Sequence, residues 1–248
     1  MKVSIVVLSM LSIVAMADAD LLLHYTFDGS MSDSTGTYDG DAKGTAGDGS
    51  YVEPSLGYTT GKFGLAADLS GDDWIWVNGG NPLSQLTNQV TIAYWTKMDS
   101  VQNQVEMVAG MDSTGNNRLA FAQYWYGTAY WDTTGGRASA SIPAETSDGQ
   151  WHHWAFTRNA GTGLQSIYFD GEVIGQSTNL FDPFADAFGG LAIGAHFEYG
   201  DTYVGGLDDF RIYDNELSQT GIQAIMVPEP ATIALFGLSS LFMKRRKK

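Results

Sequence analysis

The feature that most constrains this chain is its rhythm. Short runs of β-branched, aromatic and aliphatic residues recur between Gly-, Asp- and Thr-rich breaks. No long stretch of the interior keeps a 3.6-residue apolar period. The runs 21–27, 74–77, 89–97, 105–111, 118–126, 151–158, 164–169, 191–196 and 203–213 read as strands. Asp-Gly, Gly-Gly, Thr-Gly and Asn-Pro pairs punctuate them, and Gly occurs 30 times. Many short strands between regular turns argue for an all-β fold, a two-sheet antiparallel jelly-roll sandwich, rather than βαβ units. Asp170-Gly171, between 164–169 and 172–174, carries the type I′ hairpin signal. The helix expected in this region is a turn or two over 217–226, with Ser218 as N-cap and Pro228 beyond its end. Residues 29–50 read as one long polar loop.

Both ends differ from the middle. Lys2 precedes an apolar stretch over 3–16, and Ala17-Asp18-Ala19 follows. That pattern describes a secretory signal peptide over 1–19, with Asp20 as the mature N-terminus and cleavage after Ala17 as the alternative. The other end reads VPEPATIALFGLSSLFMKRRKK over 227–248. Its apolar run, 231–243, is shorter than the roughly 20 residues a comfortable helical span needs. Residues 20–226 are left as one domain, long enough to bury a full core.

Charge and composition narrow the function. The chain carries a net charge of −15. Residues 20–227 are more acidic still, with seven Lys or Arg against 26 Asp or Glu. Such a surface repels phosphate backbones, which argues against nucleic acid, and it attracts cations, Ca²⁺ included. There is no cysteine, hence no disulfide and no thiolate metal site, and no N-x-[ST] sequon.

A carboxylate-pair glycosidase would show two acids at i and i+2 on one strand. No Glu is followed by an acid at that spacing, and Asp170-Gly171-Glu172 reads as a turn. A pair drawn from different strands stays open. His152 and His153 are neighbours on one strand, so they point to opposite faces and cannot share a metal; one is expected packed and the other solvated. Period 2 places Asp208 on one face with Phe210 and Ile212, facing the core, provided that no bulge intervenes. An inward carboxylate needs a partner or a metal. If the first and last strands pair, Asp28 or Asp33 comes near Asp208, and the three become candidate Ca²⁺ ligands; carboxylates bonded to turn amides are the equal alternative. Aromatics crowd into YWYGTAYW. Alternation puts Tyr124 and Tyr126 on one face and Trp125 on the other, and with Trp131 they are candidate sugar-stacking rings unless the strand is packed on both faces.

Several stretches then line up with one family. LLLHYTFDGS, GKFGLAADLSGDDWIWV, VTIAYWTKM, DGQWHHWAFTRNAGTGLQSIYFDGEVIG and LAIGAHFEYGDTYVGGLDDFRIYDNELS occur in this order. Together they resemble the laminin-G-like, concanavalin A-like jelly-roll domain of bacterial exported proteins. The resemblance implies paired terminal strands, frequent calcium binding at positions corresponding to Asp28, Asp33 and Asp208, and recognition of glycan or protein through edge loops, usually without catalysis. A polysaccharide hydrolase or lyase and a structural or adhesive matrix component are the alternatives. The tail resembles the PEP-CTERM sorting signal: Pro228, Glu229 and Pro230, a hydrophobic helix, then Lys244 to Lys248. That implies transient insertion in the inner membrane, processing by an exosortase-type transpeptidase, and delivery to the surface or extracellular matrix of a Gram-negative-type bacterium.

Overall fold

The computed structural model describes residues 21–45, 51–52, 54–78, 80, 82–86, 88–112, 118–178, 188–196 and 201–227. The signal-peptide reading of 1–19 and the hydrophobic tail with Pro228, Glu229 and Pro230 lie outside these residues. No helix among the described residues is long and apolar enough to cross a membrane.

The β-prone runs become strands, in two antiparallel eight-stranded sheets. In chain order the strands are β1 (Leu21–Tyr25), β2 (Gly40–Thr45), β3 (Tyr51–Val52), β4 (Gly57–Thr60), β5 (Leu65–Ser70), β6 (Asp73–Val77), β7 (Gln89–Lys97) and β8 (Gln104–Asp112). They continue with β9 (Arg118–Trp125), β10 (Thr128–Thr133), β11 (Gly136–Ser141), β12 (Trp151–Asn159), β13 (Leu164–Phe169), β14 (Glu172–Thr178), β15 (Phe188–Ile193) and β16 (Val204–Tyr213). The first sheet runs β14-β13-β12-β7-β16-β5-β4, with β1 also on β16. The second runs β11-β10-β9-β8-β15-β6-β2-β3. First and last strands pair as expected, Tyr25 opposite Phe210.

Apolar residues at alternate positions fill the space between the sheets. Ile92, Tyr94, Trp154, Phe156, Phe210 and Ile212 come from the first sheet, and Ile75, Val108, Tyr124, Trp131, Leu191 and Ile193 from the second. Aromatic rings bridge the gap: Tyr124 lies 4.9 Å from Trp154, and Trp131 lies 5.7 Å from Phe156. Helix α1 (Gln219–Ile225) starts where Ser218 accepts a hydrogen bond from the Gly221 amide. It packs Ile222 and Ile225 on the outer face of the first sheet, against Ala93, Ala155 and Tyr213.

Three expectations are corrected. Residues 29–50 are not one loop: β2 forms there, pairing Asp41 with Trp76 and Lys43 with Trp74. Its polar sequence hides it, because Ala42 is the side chain it sends to the core. His152 and His153 are both buried, at 8% and 2% exposure, so neither is solvated.

The third correction concerns Asp208. Leu207 pairs with Thr96 and Asp208 with Trp95, and pairing resumes only at Arg211 with Ala93. Asp209, at φ 51°, is an inserted bulge residue. Leu207 and Phe210 both reach the core, and Asp208 turns to the outer face beside Trp95. It is buried there as well, because the 61–65 loop covers it: the Phe63 amide donates to its Oδ2 at 2.9 Å.

Candidate functional site at one end of the sandwich

Strands β9 and β10 are joined by a two-residue turn, with Trp125 opposite Thr128 as the last pair. Tyr126 and Gly127 have φ of 46° and 82°, the signature of a type I′ hairpin. Asn or Gly is the usual residue at the first of these positions, since a Cβ there is strained. Tyr126 occupies it here, and its ring is 67% exposed. The half-buried Trp125 ring stands nearly perpendicular at 6.1 Å.

Of the four expected ligand-stacking rings, Tyr126 is therefore presented to solvent and Trp125 partly so. Tyr124 and Trp131 are core residues, at 1% and 0% exposure. Trp131 also donates its Nε1 hydrogen to the Thr157 carbonyl at 2.9 Å. Alternation fails because the strand ends at Trp125, so Tyr126 leaves the sheet instead of sharing a face with Tyr124.

Behind the turn lies a cleft of about 140 Å³, walled by Met98, Val101, Tyr124, Ile142, Pro143 and Thr146. Its sides are fixed in place. The Tyr126 amide donates to Asn103, and the Ile142 amide to Gly127. Gln102 clamps Val204 with two hydrogen bonds, of 2.6 and 2.9 Å. Val101, at 70% exposure, leaves apolar surface at the cleft, and Val204, at 48%, lies on the far side of its bonds to Gln102. Thr146, 4% exposed, holds its hydroxyl without a protein hydrogen-bond partner.

The three candidate calcium ligands do not assemble into one centre. Among the described residues no group of three or more His, Cys, Asp or Glu converges as a metal cluster. Asp33 is consumed by its own turn: Oδ1 accepts from the His24 and Thr35 amides, and Oδ2 from the Thr37 and Tyr38 amides and the Thr35 hydroxyl. Burial alone would raise its carboxyl, but these donors hold it below the usual carboxylate range. Asp28 and Asp208 both reach the 61–65 loop. Asp28 accepts from the Leu65 amide at 2.8 Å, and a Cβ on Gly64, at φ +61°, would sit 2.0 Å from its Oδ1. The Oδ1 of Asp208 is buried without a hydrogen-bond partner, and burial pushes that carboxyl up to about 7. Asp208 leaves one hard oxygen unbonded and Asp28 is an exposed carboxylate against the same loop, whereas both Asp33 oxygens are already taken.

Sequence reasoning missed the polar network on the outer face of the first sheet. Ser34 Oγ lies 3.0 Å from His24 Nδ1, and His24 Nε2 lies 2.7 Å from Asp209 Oδ1. The order nucleophile, base, acid suggests acyl transfer. However, Arg211 also holds Asp209, at 2.9 Å. The amides of residues 34 to 38 are all taken, by the carbonyls of His24 and Asp33 and the Asp33 carboxylate, so none of them is left to stabilise an oxyanion. The network ties β1 to β16. His152 bridges two carboxylates, Nδ1 to Asp170 at 2.8 Å and Nε2 to Asp148 at 3.1 Å. Burial works against its charged form, yet these bonds raise it above the ordinary histidine value. His153 is pushed down to about 4 by burial. On the outer face of the second sheet, Glu106 is fully buried with His196 Nε2 at 3.9 Å. Asp132, on the same face, accepts from two of the Arg137 nitrogens, Nε and one Nη.

A two-sheet antiparallel sandwich with paired terminal strands is the architecture of a jelly-roll lectin-like domain. The chain belongs to the concanavalin A-like lectin/glucanases superfamily, whose laminin-G model matches residues 69–223. Residues 227–248 match the PEP-CTERM protein-sorting motif. Domain 4 of AbnA, a GH43 extracellular arabinanase from Geobacillus stearothermophilus, solved in complex with arabinotriose, superposes with a TM-score of 0.66 at 23% identity. The match covers 85% of this chain and 100% of that domain. The binding domain of Paraclostridial Mosquitocidal Protein 1 gives 0.63 at 15% identity, over 84% of this chain and 52% of that one. The binding domain of botulinum neurotoxin DC in complex with SialylT gives 0.58 at 14%, over 83% and 50%. The chain thus spans the arabinanase domain and about half of each toxin domain, and at these identities the likeness is one of fold. Comparison with curated proteins returns no match.

Proposed function

We propose that this chain is an exported, non-catalytic surface module that binds a glycan at the β9–β10 end of the sandwich. The observation that carries the reading is Tyr126: a large ring held in a left-handed turn, 67% exposed, beside Trp125 and a formed cleft. Burying so exposed a ring against the apolar face of a sugar is favourable, and its fixed backbone keeps the ordering cost small. The arabinotriose bound to the arabinanase domain of the same fold supports the ligand class. The sorting motif supports delivery to the cell surface, with an exosortase-type transpeptidase as the partner that reads residues 227–248. In this reading a Ca²⁺ ion between Asp28, Asp208 and the 61–65 loop has a structural role and holds that loop on β16.

A glycan array with the purified protein, read together with product analysis, tests the proposal. Specific binding without released oligosaccharide is the expected result. Cleavage products would replace it with the hydrolase or lyase alternative. A blank array would leave a protein partner or a matrix role.

A further inference from the structure

The glycan reading leaves open which sugar the site takes, and the cleft beside Tyr126 narrows it. Its volume of about 140 Å³ resembles that of an engineered apolar cavity of about 150 Å³ that binds benzene. A group of that size or smaller enters. A sugar ring resting on Tyr126, next to the lining residue Gly127, can insert one such group.

The walls define that group. Met98, Val101, Ile142 and Pro143 offer carbon, and no charged side chain lines the cleft. The carbon-rich part of this lining suits a methyl group. Polar groups enter the lining at Gln102, Tyr124, Ser147 and Thr146, and Thr146 is the one in which a buried hydroxyl outside the aromatic core lacks a protein partner. Its side chain is more than nine-tenths buried, and its hydroxyl has no partner in the protein. A buried hydroxyl in this state is completed by an acceptor on the ligand. Methyl and carbonyl within one small neutral group describe an acetamide. The charge of the chain, −15, selects in the same direction, because uronate or sulfate sugars would be repelled.

We infer that the cleft between Met98, Ile142 and Thr146 is a subsite for the N-acetyl group of a neutral 2-acetamido sugar, whose ring lies on Tyr126. The methyl packs on Val101 and Ile142, and the carbonyl oxygen accepts from the Thr146 hydroxyl. This rests on the glycan reading above and goes one step further.

Calorimetry with two β-1,4 series of equal length, N-acetylglucosamine trimers to hexamers and glucose trimers to hexamers, tests it. Glucose is the better comparator than glucosamine, since an amine would be drawn to the acidic surface whatever the cleft does. The N-acetylated series is expected to bind at least ten-fold tighter. Thr146→Val keeps the shape of the side chain and the Thr146 amide bond to the Pro143 carbonyl, of 3.1 Å. It should cut that preference about ten-fold with an unchanged melting temperature. Tyr126→Ala should weaken every sugar that binds. Equal binding of the two series, or a preference that survives Thr146→Val, overturns the acetamido subsite while glycan binding stands. A protein that binds neither series and nothing on a broad array overturns both.

Discussion

Replacing Asp208 with Asn tests the electrostatics of the bulge on β16. In the folded chain Asp208 is fully buried, and burial pushes its carboxyl up to about 7. In the unfolded chain the group titrates near its ordinary value of about 3.9. Between about pH 4 and pH 7 the folded protein holds a proton there that the unfolded protein has released. Stability therefore falls as pH rises through that window. A separation of about three pH units corresponds to on the order of 4 kcal/mol at its fullest extent. Asn keeps an acceptor for the Phe63 amide and puts an uncharged donor where the protonated acid would have one. Urea unfolding from pH 4 to 8 in EDTA should give a wild type that loses stability relative to Asp208→Asn as pH rises, until the variant is the more stable at pH 7.5. Asp33 and His152 titrate in both proteins and cancel in the difference, and the neighbouring Asp209 is held below the usual carboxylate range, against the effect of burial, by His24 and Arg211. Stability curves that run parallel across the range would refute the reasoning. Adding millimolar Ca²⁺ at pH 7.5 should then raise the stability of the wild type and leave the variant unmoved, since a cation stabilises the ionised acid. No shift in the wild type ends the proposed cation site.

The strain at Tyr126 separates stability from function: Tyr126→Asn should raise stability by up to about 1 kcal/mol, because Asn tolerates φ near 50°, while sugar affinity falls at least ten-fold. A variant that melts higher and binds as before would show that the ring is not the contact. Trp131→Ala removes a fully buried ring from its packing on Phe156, and should cost about 3–5 kcal/mol in urea unfolding; a loss under about 1 kcal/mol would place Trp131 outside the core. His152 is raised in the folded chain by Asp170 and Asp148 against the effect of burial, so its contribution is full below its unfolded value of about 6.5 and is lost as pH rises through the higher folded value. His152→Gln should thus lower the melting temperature more at pH 5.5 than at pH 8, and a gap that does not change with pH would disprove the clasp.

The strands that period 2 revealed are those with one strong apolar face. β7 and β12 alternate core residues such as Tyr94 and Trp154 with outward ones, and both were legible. Ser218 and Asp170-Gly171 were legible for another reason: their chemistry is local, a cap and a type I′ turn with φ of 47° and 80°. β2, β3, β4, β5, β10 and β11 are not legible as strands. Each is short, and β2 and β11 are rich in Gly, Ser or Asp, so most of their stability comes from neighbours that a one-dimensional pattern does not name. The cleft was invisible for the same reason. Met98, Gly127, Ile142 and Thr146 come from separate segments, and long-range bonds such as the Ile142 amide to Gly127 and the Gly149 amide to Met98 bring them together.

The two site readings that went astray share one physical cause. Counting faces by twos assumes an unbroken strand, and a single residue at positive φ shifts the count by one. At Asp209 that shift moves Asp208 from the expected core face to the outer face, under the 61–65 loop. At Tyr126 it ends the strand and lifts the ring away from buried Tyr124 into solvent. Neither position carries the glycine that would mark such a conformation cheaply. Holding Asp or Tyr there costs of order 1 kcal/mol, which a fold retains only where the surroundings enforce it. Asp209 is enforced by His24 and Arg211, whose bonds repay the strain within the sandwich. Among the described residues the ring of Tyr126 makes no comparable bond, and it meets the edge of Trp125. The strain at Tyr126 is met by the β9–β10 ladder and by the Tyr126 amide bond to Asn103, which together hold the ring at the tip of the turn, where the proposed ligand would meet it.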